Sequence, residues 1–138
     1  MILNTKTLEK LRILINEETE YRSGPKLVEF FNQLGSKDTY SYQGGFPSRW
    51  LYTDQKLAEI NGKPELDDCI RNLFAPINFI GKMKELASFI KDFNQYLAFD
   101  GWQVIQNGKE ITFQKNDHID VLYSKDELTE DMFLTSEF

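Results

Sequence analysis

The chain has 138 residues, 41% hydrophobic and 14% aromatic, which is enough apolar surface for one core and too little length for two ordinary domains. A mean hydropathy of -0.48 and the lack of any apolar run near the roughly 20 residues of a spanning helix argue against a membrane-resident protein. The net charge of -6 disfavours general coating of DNA or RNA, because that affinity rests on cations displacing phosphate counterions.

Thr5 or Thr7 can cap a first helix, whose Leu8, Leu11, Leu14 and Ile15 make one apolar face and which is expected to end near Asn16. Ser23-Gly24-Pro25 reads as the start of a second helix, with Leu27, Val28, Phe30, Phe31 and Leu34 inward and Gly35 as its stop. A loop is expected from Ser36 to about Arg49. Thr53-Asp54 then opens a short helix through Leu57 and Ile60, stopped by Asn61-Gly62. Pro64 repeats the start signal for a helix carrying Leu66, Ile70, Leu73 and Phe74, and Ala75-Pro76 closes it. A longer helix has Ile80, Met83, Leu86, Ala87, Ile90, Phe93, Tyr96 and Leu97 on one side. The period then changes to two: Trp102, Val104, Ile111 and Phe113 alternate with polar residues around Asn107-Gly108, a type I′ hairpin signal. Ile119, Val121 and Tyr123 are candidates for a third strand. The expected fold is α+β and mainly helical, about five helices followed by a β-hairpin or three-stranded sheet. A single domain is expected over 1–138, with a core from about 5 to 123 and an acidic tail from about 124 to 138.

Gly44 to Thr53 is the most unusual segment, since it combines two glycines, a proline, three aromatics and an arginine. Gly-Gly opens backbone angles closed to other residues, and aromatics with arginine are the residue types most enriched in binding hot spots. Phe46, Ser48, Arg49, Trp50 and Tyr52 are therefore candidate partner- or ligand-binding residues. The alternative for Arg49 and Trp50 is structural: a core anchor with the arginine stacked or salt-bridged beneath the loop. Arg22 and Lys26 are the second candidate pair, flanking a helix N-terminus where backbone N–H groups favour a phosphate or carboxylate. The structural reading pairs Arg22 with Glu18 or another acid instead.

Catalytic patterns are not found. His118 is the only histidine, no other ligand falls at a familiar zinc spacing, and it reads as a hairpin-edge residue. No phosphate loop, dinucleotide fingerprint or nucleophile elbow occurs, so no cofactor, metal or catalytic residue is expected. Glu17-Glu18 and Asp67-Asp68 read as solvated faces, and Lys109-Glu110 is only a faint echo of a nuclease. The lone Cys69 reads as a buried thiol in a reducing, cytoplasmic setting, and Met1–Lys6 shows no secretory pattern.

Tyr21-Arg22-Ser23-Gly24-Pro25, Leu27 to Asn32, Gly45 to Trp50, Asn61-Gly62-Lys63-Pro64, and Phe93 to Leu97 with Asp100-Gly101-Trp102 together resemble one bacterial family. The chain is similar, from about Leu8 to Phe113, to the N-terminal domain of AbiJ-type abortive-infection proteins. That resemblance implies a module of phage-resistance (antiviral defence) systems joined to an effector, often a HEPN-type ribonuclease. The arginine-then-histidine motif of such ribonucleases is not matched before His118, so the toxic chemistry is expected to lie outside these residues. The expected function is a noncatalytic sensor, regulatory or protein-binding domain whose partner is an effector domain or partner protein. A homodimer through an exposed aromatic loop is compatible with this reading, and no membrane partner is implied. The alternative is a domain that binds single-stranded RNA or DNA, with a small metal-dependent nuclease as a more remote reading.

Overall fold

The computed structural model describes residues 1–117. It shows five α-helices, α1 (Thr5–Ile13), α2 (Gly24–Asn32), α3 (Arg49–Ile60), α4 (Pro64–Leu73) and α5 (Met83–Leu97), followed by an antiparallel pair of strands, β1 (Trp102–Asn107) and β2 (Glu110–Lys115). The fold is α+β and mainly helical, as the periodicities predict. One apolar cluster draws on every helix and both strands, from Leu11 and Phe31 through Leu57, Ile70 and Phe93 to Val104 and Ile111.

Local chemistry explains most element boundaries. The cap of α1 is Asn4 rather than Thr5 or Thr7: its side chain accepts hydrogen bonds from the amides of Lys6 and Thr7. Thr7 is instead buried and donates its hydroxyl to the Tyr96 carbonyl at 3.3 Å. Past Ile13 the helix widens into a π turn, Leu14–Glu18, so the helical path outlasts the expected stop at Asn16. In α2, Ser23 caps and proline occupies the first turn. A Cβ on Gly24 would meet the Tyr40 ring at 2.3 Å, so glycine is what lets that ring lie on the helix start.

Two boundaries depart from the sequence reading. Helix α3 begins at Arg49, because the Ser48 hydroxyl accepts from the Leu51 amide at 3.1 Å; Arg49 to Thr53 are helical rather than loop. Helix α5 begins at Met83, leaving Ile80 exposed in the connection after a short 3-10 segment, Pro76–Phe79. Met83 and Ala87 are exposed too, so the buried stripe is Leu86, Ile90, Phe93 and Leu97.

The hairpin register pairs Val104 with Phe113 and ends with Asn107 opposite Glu110. Its turn residues are therefore Gly108 and Lys109, one position later than the Asn-Gly signal places them; Gly108 has φ of 65°. Three asparagines grip distant backbone with paired amide bonds. Asn94 of α5 holds the N–H and C=O of Val104 at 2.7 and 2.9 Å, Asn61 does the same for Leu3, and Asn32 for Asp38. His118, the candidate third strand and the acidic tail lie outside the described residues. Among the described residues, no helix is long and apolar enough to cross a membrane.

Candidate functional site

The last carbonyls of a helix have no partner within it, and the π turn ends α1 where two arginines supply the missing donors. Arg22 is only 8% exposed. Its Nη1 donates to the Ile15 carbonyl at 2.8 Å and to the Thr19 hydroxyl at 3.1 Å, and its Nη2 reaches Glu20, not Glu18, at 3.3 Å. Arg49 crosses from the first turn of α3: Nη2 donates to the Asn16 carbonyl at 2.8 Å, and Nε to the Arg22 carbonyl at 2.9 Å. Burial lowers the pKa of Arg22, with Glu20 opposing the shift.

The outer face of the same helical turn carries a ladder of alternating rings and cations. The Arg49 guanidinium lies 4.2 Å from the Tyr21 ring centre and 5.7 Å from that of Trp50, while Arg12 of α1 covers Trp50 at 5.2 Å. These separations lie within cation–π range. Each cation also has a carboxylate: Glu17 binds Arg49 at 2.6 Å, and both oxygens of Asp54 accept from the one Nη1 of Arg12, at 2.9 and 3.1 Å. The rings are thus held in place while 62% of Tyr21 and 37% of Trp50 stay open to solvent, beside Leu51 at 49%.

The inner face is different. Tyr52 is buried, its hydroxyl donating to Asp38 at 2.7 Å, and Lys56 meets the same carboxylate at 2.7 Å. The hydrogen bonds from Lys56 and then Tyr52 lower the Asp38 pKa. Burial raises that of Tyr52, with the Asp38 bond adding to it. For Lys56, burial is the largest influence and acts downward, yet its bonds to Asp38 and Glu59 leave the pKa raised. Phe46 lies between Tyr40 and Tyr52, at ring separations of 4.6 and 5.0 Å, so it packs the connection between α2 and α3 rather than standing free.

The candidate residues therefore separate into groups. Arg49 and Trp50 meet in the ladder, Phe46 and Tyr52 meet in the inner stack, Ser48 caps α3, and Arg22 and Lys26 line one cleft beside α2. Lys26 is exposed and pairs with Glu29 at 3.4 Å. Arg49 is stacked and salt-bridged as its structural reading expects, closing two distant carbonyls, whereas Trp50, 37% exposed, is a surface ring and not a core anchor. Arg12, Tyr21 and Leu51 also belong to the outer surface; Tyr21 and Leu51 lie in the segments that hold the candidate residues, and Arg12 lies in neither. Arg12 gives no sequence signal, because its ring and carboxylate lie on a helix about forty residues away.

Cys69 is fully buried and burial pushes its thiol up to about 12, which makes it a packing residue. Lys109 and Glu110 are exposed at the hairpin turn. Among the described residues, no three His, Cys, Asp or Glu side chains gather as a metal site would require. No family model, curated protein or solved structure matches the chain.

Proposed function

We propose that this protein is a noncatalytic recognition module of a bacterial abortive-infection system, which binds an effector domain or partner protein through the Tyr21–Arg49–Trp50–Arg12 face. The antiphage setting rests on the sequence resemblance. The interaction rests on one observation: two aromatic rings are held rigid by arginines whose charges are already neutralised, and both rings remain accessible. Rings fixed before binding lose little side-chain freedom on association, and Trp, Tyr and Arg are the commonest hot-spot residues. Because Glu17 and Asp54 occupy the two arginines, the face offers apolar area rather than free positive charge. That favours a protein partner over nucleic acid.

The test is affinity capture by the tagged chain from lysates of uninfected and phage-infected bacteria, with bound protein and nucleic acid analysed together. The control is Tyr21→Ser/Trp50→Ser, which leaves the carbonyl bonds of Arg49 in place. A protein retained by the parent and lost with the control supports the proposal. Binding that ignores the substitutions, or no retained protein at all, overturns it. Recovery of a specific single-stranded RNA or DNA would promote the second reading, for which the hairpin supplies an observation of its own: Lys115 lies 5.1 Å from the Trp102 ring and Arg71 4.9 Å from that of Phe113, the pairing of cations and rings that stacked bases use.

A further inference from the structure

A polar cleft of about 270 Å³ opens between the outer side of α2 and the segment joining α4 to α5. Its buried charge is Arg22. The guanidinium lies 4.8 Å from the Phe30 ring centre, and its Nη1 is held by the Ile15 carbonyl and Thr19 hydroxyl. Of the five N–H groups of a guanidinium, Nε–H and one Nη2–H have no protein partner among the described residues. The remaining Nη2–H meets Glu20, a side chain 62% exposed, at 3.3 Å. Asn72 and Asn78, from α4 and the segment after it, line the cleft together with the exposed Lys26 and Glu29.

We infer that this cleft is a binding site for a small polar molecule bearing a compact oxyanion, a carboxylate or a phosphate, with Arg22 as its anchor. A flat guanidinium fork matches two oxygens of either group. Its geometry is set before any ligand arrives, because Phe30, Ile15 and Thr19 fix the ring-like plane. Glu20 is the competitor. The Glu20 side of this pair is exposed and its one contact is long, at 3.3 Å, so an incoming anion displaces the Glu20 carboxylate, which then returns to water. The wall amides of Asn72 and Asn78 supply donors and acceptors for the polar body of the ligand. The cleft volume is just below the range of drug-sized pockets, which restricts the occupant to a small metabolite. Glu20 and Glu29 face the same space and repel a ligand with several negative charges, so a single anionic group fits best.

The test is a two-dimensional NMR titration of the intact chain with inorganic phosphate and, separately, with acetate, both at constant ionic strength. Saturable shifts of the Arg22 Nε–H and the Asn72 and Asn78 side-chain amides are expected at millimolar concentration, and the tighter anion tells phosphate from carboxylate. Lys26→Ala/Asn78→Ala should weaken binding about tenfold without changing the melting transition. Glu20→Gln should tighten it severalfold, a gain that a merely structural role for Glu20 does not produce. Cleft resonances that stay unmoved with both anions, shifts spread over surface lysines, or an affinity indifferent to Glu20→Gln would overturn the assignment.

Discussion

Trp50 and Tyr52 stand two residues apart on the first turns of α3 and serve opposite sides of it. On the inner side, Tyr40, Phe46, Tyr52 and Phe31 form a run of touching rings. It closes the connection over the core, and the Tyr52 hydroxyl within it is satisfied by Asp38, whose carboxylate also meets Lys56. On the outer side, Tyr21 and Trp50 are spaced by arginines and left in contact with solvent. Similar residue types build both regions. The difference lies in what separates the rings: ring against ring excludes water, whereas a guanidinium between rings keeps its own hydration and its carboxylate, and so belongs at a surface. Arg49 joins the two functions because its Nε and one Nη2 bond point inward to carbonyls while its plane supports the outer rings.

The comparison can be broken most severely at Arg49. Arg49→Ala orphans the Arg22 carbonyl, leaves the Asn16 carbonyl with only the Arg22 amide at 3.2 Å, and removes the partner of Glu17, so a loss of about 2–4 kcal/mol in urea unfolding is expected; a loss below about 1 kcal/mol would make Arg49 a surface residue only. Next comes Gly24→Ala, whose methyl collides with the Tyr40 ring and should cost about 1–3 kcal/mol by displacing the inner stack. Unchanged stability there would mean that the ring moves aside freely. Tyr52→Phe keeps the ring and deletes one bond to Asp38, which the Lys56 contact still accompanies, and should cost about 1 kcal/mol.

Acid provides a subtler probe of the inner side. The folded Asp38 pKa lies below its ordinary 3.8, so its contribution is fully present above that value and is lost as pH falls through the lower folded one. Asp38→Asn should therefore be less stable than the parent at neutral pH, with the gap closing in strong acid. A gap that is constant with pH would remove the carboxylate from the explanation. Smallest of all is the outer face, where Tyr21→Ser should change stability by no more than about 0.5 kcal/mol while abolishing partner capture. A large drop in melting temperature with that substitution would transfer Tyr21 from recognition to structure.

Helices α2 and α4 were legible from single residues because their signals act within one turn: Ser23 and Pro25 at one start, Pro64 at the other. The hairpin was legible from its alternation, and its turn was displaced by one residue because the Asn107 to Glu110 rung completes the ladder. The start of α3 was missed although Ser48 is a favourable cap, since the glycines, Pro47 and the aromatic residues around it read as loop. Ile80 and Met83 continue the helical spacing of α5, yet the 3-10 segment before them turns the chain and leaves both exposed.

What the sequence by itself determined was the order of elements and the burial of the apolar stripe from Leu86 to Leu97 and of Cys69. Caps, proline constraints and apolar period are short-range effects, and their energies belong to residues within about four positions of one another. Only the tertiary structure decided which arginine reaches which carbonyl. Arg49 closes a helix end 33 positions earlier, Asn61 grips Leu3 across 58 positions, and Asn72 and Asn78 line the same cleft as Arg22. Long polar side chains satisfy whichever unpaired group the packed core brings near them, and that choice is made by the packing of helices, not by the residues beside them in the chain.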